Sequence, residues 1–376
     1  MTSRERILAA MARQDVDYVP CCIYFNPLSP TLRRGYTWNF PWPPEATPEE
    51  MVRYQVEVLG LDQVLSVAVS VTRPAPGCSA RVWLEGDVLH KSFTTPVGEL
   101  HAAVRYNDLW PHGLDIPFYS DFNVGHYVEP WLQGEADLEC LKQLQMARPL
   151  DEIVAEARPA FAATKALADR YGLAVAGNAG MGLTGAQHLF GAAPLCLLVM
   201  DKPALVDAYL EHEHQLNLLT IEALGQLGAD IVRRNGFYET ADFYSPALLE
   251  RMLRDRLNAE AEAARRCGMM TAYTLHSGVM PMLDYLADLT VESIFGIDIA
   301  FPGMDLRRLR DALAEGKSFW IGPCSTHHLW GGPEPTRAAV RTVFEVFGRT
   351  GLILSPGVSA HSIMPSAPRL TMPAFS

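Results

Sequence analysis

Apolar and polar positions along the chain sort into short apolar runs separated by longer stretches with helical spacing. The runs are Leu173–Ala176, Asp230–Val232, Met270–Leu275, Ser293–Ile297, Ser318–Ile321 and Gly351–Leu354. None alternates strictly, which is the pattern of strands covered on both faces. The helical stretches have marked starts. Thr2 with Glu5 spells a capping box ahead of Ile7, Leu8 and Met11, and Thr47-Pro48-Glu49-Glu50 repeats the device before Met51, Tyr54 and Val58, with a stop at Gly60. Asp151 to Tyr171 and Pro203 to Leu227 carry long helical patterns. Ser245-Pro246 opens a helix ending near Cys267-Gly268, and Asp305 opens another ending near Gly316.

Strand, polar or Gly/Pro-rich loop, then helix, repeated from residue 172 onward, is the arithmetic of a parallel sheet with crossover helices. Two earlier runs, Tyr18–Phe25 and Gln63–Val69, bring the strands to about eight, the number that closes a barrel. We therefore expect an α/β fold, a (β/α)8 TIM barrel with an N-terminal extension, forming one domain over residues 1–376. Residues 80–106 break the rhythm. Arg81–Leu84, Val88–Phe93 and Glu99–Tyr106, joined by Glu85-Gly86-Asp87 and Thr95-Pro96-Val97-Gly98, read as a small antiparallel insertion on the barrel.

Charge and cysteine usage narrow the partners. A net charge of −12 argues against nucleic acid and anionic membranes, which need a dense positive surface. The seven cysteines are scattered with no C-x-x-C, which speaks against a secreted disulfide framework. The longest apolar stretch, Ala192 to Met200, is far too short to span a bilayer, and no apolar segment follows Met1–Arg6 as a signal peptide requires. We expect a cytoplasmic protein with a small-molecule substrate, no membrane or nucleic-acid partner, and a homodimer as one oligomeric option.

In a parallel barrel the strand C-termini face the active site. Reading those ends gives Asn178, Asn235 with Glu239 beyond it, His276-Ser277, Asp298, Cys324-Ser325, and Ser355 with His361 beyond. His276 is the foremost candidate for acid–base work or metal binding. Glu239, Arg233 and Arg234 lie within seven residues. They either orient an acidic substrate or pair with one another at the rim. Cys324 with His327 and His328 has the look of a soft-metal cluster, yet one loop rarely supplies a full ligand set, so a buried free thiol is the preferred reading. His212 and His214, two apart on a helix, point to different faces and read as solvated surface. The aromatic stretch around Trp38 (Tyr36, Phe40, Trp42) either covers a site or staples its own loop. Gly177-Asn-Ala-Gly-Met-Gly182 has the composition of a dinucleotide fingerprint but the wrong spacing, and no Walker loop, G-x-S-x-G elbow or H-E-x-x-H helix is present.

Several short segments, taken in order, resemble the uroporphyrinogen decarboxylase superfamily. They are Met1–Ala10 with Asp17-Tyr-Val-Pro20, Ser245-Pro-Ala-Leu-Leu249, Leu275-His-Ser-Gly278, Gly303-Met-Asp-Leu306 and Leu354-Ser-Pro-Gly357. Thr95-Pro-Val-Gly-Glu-Leu100 is similar to the methyltransferase-like branch. The resemblance implies a (β/α)8 barrel and one of two activities. One is methyl transfer between a small aromatic or methoxylated compound and a corrinoid (cobalamin-type) cofactor carried by a partner protein, in some members with zinc. The other is a cofactor-free decarboxylation of porphyrinogens, with a non-catalytic tetrapyrrole-binding barrel as a further alternative. The zinc pattern of the branch places a His at His276, but Gly278 and Val358 stand where its cysteines belong. A metal here would therefore fall to His276 with an oxygen ligand such as Glu239 or Asp298. The decarboxylase signature Arg-Gln-x-Gly-Arg-Tyr is absent, and Arg33-Arg34-Gly35-Tyr36 is a poor echo of it. On this reading His276, Glu239 and Asp298 are the catalytic candidates, and Asn178, Asn235, Arg233, Arg234, Trp38 and Ser355 the substrate-binding ones.

Overall fold

The computed structural model describes residues 1–23, 47–108, 110–119, 127–329 and 331–356. Helix α1 (Ser3–Met11) begins at the expected box, Thr2 Oγ accepting from the Glu5 N–H while Glu5 accepts from the Thr2 N–H. Helix α2 (Pro48–Arg53) starts in the same way at Thr47 and runs into a wider π-helical turn, Tyr54–Val58, before Gly60. Strands β1 (Val64–Val67) and β2 (Thr72–Arg73) precede the antiparallel sheet β3 (Ser79–Glu85), β4 (Val88–Thr95), β5 (Gly98–Arg105) and β6 (Tyr127–Glu129). The last of these is a fourth strand that the sequence pattern did not announce. Helix α3 (Glu135–Leu144), the short β7 (Met146–Ala147) and helix α4 (Leu150–Tyr171) lead into the repeating part. That part runs β8 (Ala174–Ala179), α5 (Gly182–Phe190), α6 (Ala192–Asp201), α7 (Pro203–Leu227), β9 (Ile231–Asn235), α8 (Pro246–Arg266), β10 (Met270–Thr274), α9 (Leu283–Asp288), β11 (Ser293–Asp298), α10 (Leu306–Leu313), β12 (Ser318–Gly322), α11 (Pro333–Phe347) and β13 (Leu352–Leu354).

Seven parallel strands, β1 and β8 to β13, follow chain order in one sheet, the TIM-barrel-like (β/α)8 fold that the rhythm of the sequence predicts. The eighth expected run, Tyr18–Phe25, contributes a single parallel bridge from Cys21 to Leu354, with the Leu354 N–H donating to Pro20 and the Cys22 N–H to Leu354. Tyr24 and Phe25 of that run and the aromatic stretch around Trp38 lie outside the described residues. Among the described residues no single helix is long and apolar enough to cross a membrane.

The chain divides into two compact units. One comprises Met1–Val67, Ala162–Ala176 and Glu292–Ser376, the other Ala68–Phe161 and Gly177–Val291. In the first, the pairs β11–β12 and β12–β13 carry a core of Phe319, Trp320, Ile321, Leu352 and Ile353. In the second, β9 and β10 pair in register from Ile231 opposite Met270 to Asn235 opposite Thr274. Helices α7 and α8 bury their apolar rows there, Leu224 and Leu249 among them.

A buried charge ties the N-terminus into the first unit. Arg6, 4% exposed, donates to Asp62 Oδ1 at 2.6 Å and to Asp17 at 2.6 and 2.9 Å. Asp62 also accepts from the Cys21 N–H at 3.1 Å, so one carboxylate joins α1 to the strand-like segment at Cys21. Removing it strands the guanidinium in the interior. Asp62→Ala should therefore cost about 3–5 kcal/mol in denaturant unfolding. Asp17→Ala, at a partner that is 42% exposed, should shift the midpoint far less.

Candidate functional site

The second unit contains a cluster of buried charges around strand β9. Arg234 is 4% exposed, Glu239 0%, Glu260 4% and Glu213 8%. Alternation along β9 sends Arg234 to the same side as Tyr273, its register partner on β10, and sends Arg233 and Asn235 to the other. The Arg234 guanidinium donates from Nε to Glu260 Oε2 at 3.1 Å, from Nη2 to Glu239 Oε1 at 3.2 Å and from Nη1 to the Asn235 carbonyl at 2.9 Å. Both oxygens of Glu239 are engaged. Oε1 also accepts from the Leu183 N–H at 2.7 Å, and Oε2 from the Tyr273 hydroxyl at 2.6 Å. Glu260 on α8 accepts from Asn217 Nδ2 at 3.0 Å and pairs with His214 Nδ1 at 2.8 Å. A carboxylate only accepts, so His214 carries its proton on Nδ1. On the other flank Glu213 Oε1 accepts from the Met181 N–H at 2.6 Å.

These contacts explain the glycine-rich turn between β8 and α5. Its amides point at protein carboxylates, Met181 at Glu213 and Leu183 at Glu239, so the helix N-terminus is capped from within. At Gly182, with φ +49°, a Cβ would overlap the Arg234 guanidinium and Glu239 Oε1. The near-miss to a dinucleotide fingerprint is thus a packing requirement of the charge cluster.

The electrostatics follow from one guanidinium facing three carboxylates. Burial works against the Arg234 charge, but Glu239, Glu260 and Glu213 outweigh it and hold its pKa above the ordinary value. Burial likewise pushes Glu260 towards its neutral form, yet His214, Arg234 and Asn217 prevail and keep it below the usual carboxylate range. At Glu239 burial wins over Arg234 and the Tyr273 hydrogen bond, and the pKa rises. Glu213 is the outlying member. Burial pushes it up to about 7, Arg234 and the Met181 amide pull it back, and Glu260 and Glu239 push it further. One proton near neutrality relieves the excess negative charge at the carboxyl least compensated by partners.

Two aromatic tiers flank this cluster. Phe237 stacks on His276, with centroids 5.1 Å apart and planes 17° from parallel. Tyr238 lies against His188 at 6.3 Å, and His188 meets Tyr119 edge-on at 6.4 Å. Burial lowers His188 to about 4, so its ring is neutral at pH 7. Beside His276, Ser277 Oγ donates to Asp242 Oδ2 at 2.6 Å. Asn178 is exposed, and because Gly177 faces Leu224 of α7, Asn178 takes the opposite side of β8. Asn178, Arg233 and Asn235 therefore share the orientation away from the helices, with His276 just beyond the end of β10.

Several expectations change. Arg234 and Glu239 do pair, but in the interior and not at a solvated rim, because α7 and α8 bring Glu213 and Glu260 to them. Arg234 is thereby committed to protein carboxylates, and of the two arginines Arg233 is the one on the outer face of the cluster. His214 is buried against Glu260 and is not solvated surface. Glu213, Glu260, Tyr273 and Tyr209 were missed. Their signal was a polar residue on a buried helical row: Glu213 and Asn217 fall in line with Val206, Tyr209 and Leu224 on α7. In the other unit, Asp298 is half-buried, accepting from the Ala300 N–H at 2.9 Å and from Cys324 Sγ at 3.4 Å. Cys324 is buried and not in a disulfide, and its N–H donates to His328 Nδ1. Ser355 is also buried there, its N–H donating to the Ile321 carbonyl at 3.2 Å. Trp38 lies outside the described residues.

The described residues around His276 and Glu239 do not fit a zinc centre. Both oxygens of Glu239 are taken, and among the described residues no group of three or more His, Cys, Asp or Glu could hold a metal ion. Gly278, beside His276, has φ +62°, and a Cβ there would meet Asp242 at 2.7 Å. The backbone at this position is shaped for glycine.

Glu213 gives the site a pH signature. Its folded pKa near 7 lies above the ordinary value of 4.5. The stability it contributes is complete below pH 4.5 and is lost as pH rises through 7. Relative to Glu213→Gln, which keeps an acceptor for Met181 but cannot ionise, the wild type should lose on the order of 3 kcal/mol across that window. Paired denaturant titrations at several pH values read the difference directly.

Comparison with known proteins agrees with this architecture. No curated protein matches the chain significantly. Among solved structures, a methyltransferase from Methanosarcina mazei superposes over 97% of this chain and 95% of its own, with a TM-score of 0.58 at 18% identity. A D-allulose 3-epimerase from Methylomonas sp. covers 55% of this chain and 78% of its own at 14% identity, with a TM-score of only 0.36. A family model, uroporphyrinogen decarboxylase (URO-D), matches residues 118–375. The chain belongs to the uroporphyrinogen decarboxylase family.

Proposed function

We propose that this protein is a methyltransferase that moves a methyl group between a small aromatic or methoxylated compound and a corrinoid carried by a partner protein. The observation that carries the reading is the Phe237–His276 stack at the strand ends, with Asn178, Asn235 and Arg233 oriented to the same side as one another. A flat aromatic wall with a few polar groups suits a planar, weakly charged substrate. A porphyrinogen decarboxylase must hold a polycarboxylate. Here Arg234 is spent on Glu239 and Glu260, and the chain carries a net charge of −12.

The corrinoid supplies the cobalt chemistry of methyl exchange. The chain's own residues position the substrate ring against Phe237 and His276 and stabilise charge that develops on its oxygen. Asn178 and Asn235 offer amide donors, and Arg233 a fixed positive charge. The buried cluster behind them holds the β9 loop and the β8–α5 turn in place, so these donors need no reorganisation during reaction.

Mixing the protein with a methylated corrinoid protein, or its demethylated form, across a panel of methoxylated aromatics should change the cobalt absorption spectrum with at least one of them. No change with any donor or acceptor, or release of carbon dioxide from uroporphyrinogen, would contradict the assignment. His276→Ala should lower the rate about 100-fold. Its stability should change by only about 1–2 kcal/mol, because the ring is half-buried. Unfolding of this variant would make His276 a structural residue instead.

A further inference from the structure

Strand β10 ends at Thr274, whose carbonyl accepts from the Gly236 N–H at 3.0 Å just past the end of β9. His276 therefore stands beyond the sheet, where the ladder no longer fixes the backbone. The loop between β9 and α8 takes over with three contacts. Phe237 stacks on the His276 ring. The Ala241 N–H donates to the Gly278 carbonyl at 3.2 Å. Ser277 Oγ donates to Asp242 Oδ2 at 2.6 Å, the short separation of a hydroxyl on a charged carboxylate. Gly278 makes room for the last two. Its φ of +62° turns the backbone, and a Cβ there would come within 2.7 Å of Asp242 Cγ and 2.8 Å of the Asp242 backbone nitrogen. The loop that supplies these contacts is itself held: Glu239 is buried in the charge cluster, and the Tyr238 N–H donates to Thr184 Oγ1 of α5 at 2.9 Å. Asp242, by contrast, is exposed, so its removal opens no hole in the core.

We infer that Asp242 is a positioning residue: through Ser277 and the bare backbone at Gly278 it holds the His276 imidazole face to face with Phe237. One loop thereby grips two successive residues, His276 by its ring and Ser277 by its hydroxyl. A single ring stack is too weak to order a loop end that the sheet has released. The hydroxyl–carboxylate bond and the Ala241–Gly278 bond supply the rest, and leave the imidazole one orientation at the strand ends. A group held in one orientation needs no reordering when a substrate arrives, and a small misplacement of it is costly to rate. The catalytic meaning of the latch rests on the methyl-transfer reading; the latch itself does not.

Imidazole NMR of the full-length chain, carrying isotope-labelled histidine, reads the ring position without an activity assay. The Cε1–H signal of His276, recognised by its loss in His276→Ala, should lie upfield under the Phe237 ring current and move downfield in Phe237→Leu. Asp242→Ala and Ser277→Ala should move it the same way. Asp242→Asn, which keeps an acceptor of the same shape, should leave it in place. Ser277→Ala reads the same bond in the event that Asp242→Ala does not fold. In the methyl-transfer assay Asp242→Ala should lower kcat about 10- to 100-fold with KM little changed. Asp242→Asn should restore the rate, and Asp242→Ala should cost nothing further in a His276→Ala background. The latch is overturned if the signal keeps its wild-type position in Asp242→Ala and Ser277→Ala, or if Asp242→Asn moves it as far as Asp242→Ala does. A positioning role is equally overturned if Asp242→Ala lowers the rate as much without His276 as with it. A ring that moves as expected, in a protein that transfers methyl from no donor, supports the latch and refutes the reaction assigned to it.

Discussion

One buried guanidinium organises the second unit. Arg234 cannot be neutralised by losing its proton, so the interior must supply negative charge to it. Glu239 and Glu260 do so from a loop and from helix α8, at 3.2 and 3.1 Å. Each of those carboxylates then needs further donors, which come from Tyr273, Asn217, His214 and the backbone amide of Leu183. Removing Arg234 would leave several buried carboxylates uncompensated, whereas each single hydrogen bond around them is worth far less.

The consequence for chemistry lies in the geometry of a strand. Successive residues of β9 point to opposite faces, so Arg234 anchors the helices while Arg233 and Asn235 remain on the side of Asn178. The same carboxylates hold the β8–α5 turn and the loop that carries Phe237 and Tyr238. The stack of Phe237 on His276 and the polar edge near it are therefore fixed by ion pairs behind them. The excess of carboxylate over guanidinium also leaves one exchangeable proton near neutrality, at Glu213.

Local signals in the sequence were reliable and distant ones were not. Thr2, Thr47, Ser245 and Asp305 cap their helices as read, because a cap is decided within four residues. The parallel strands fell close to their apolar runs for the same reason. Among the described residues the eighth expected strand is seen only as the bridge at Cys21. The pairing of Arg234 with Glu239 was legible because they are five residues apart, but the rest of the charge cluster was not, since its members are separated by long stretches of chain: Glu260 lies 26 residues from Arg234, and Glu239 lies 56 from Leu183. His214 looked like solvated surface because spacing on one helix says nothing about the helix packed against it. The glycines at 177–182 were read only as a composition with the wrong spacing for a dinucleotide site; the role of Gly182, to let Arg234 and Glu239 approach the backbone, depends on residues more than 50 positions away.

The central claim is that buried carboxylates hold the β8–α5 turn, and amide hydrogen exchange at Met181 and Leu183 tests it most directly. Amides at the start of a helix ordinarily lack a partner and exchange fast. Donation to Glu213 at 2.6 Å and to Glu239 at 2.7 Å should instead give these two the slow exchange of the β9 and β10 strand amides. Exchange at the rate of an exposed loop would show that the charge cluster does not hold the turn, and the account of the site built on it would fail.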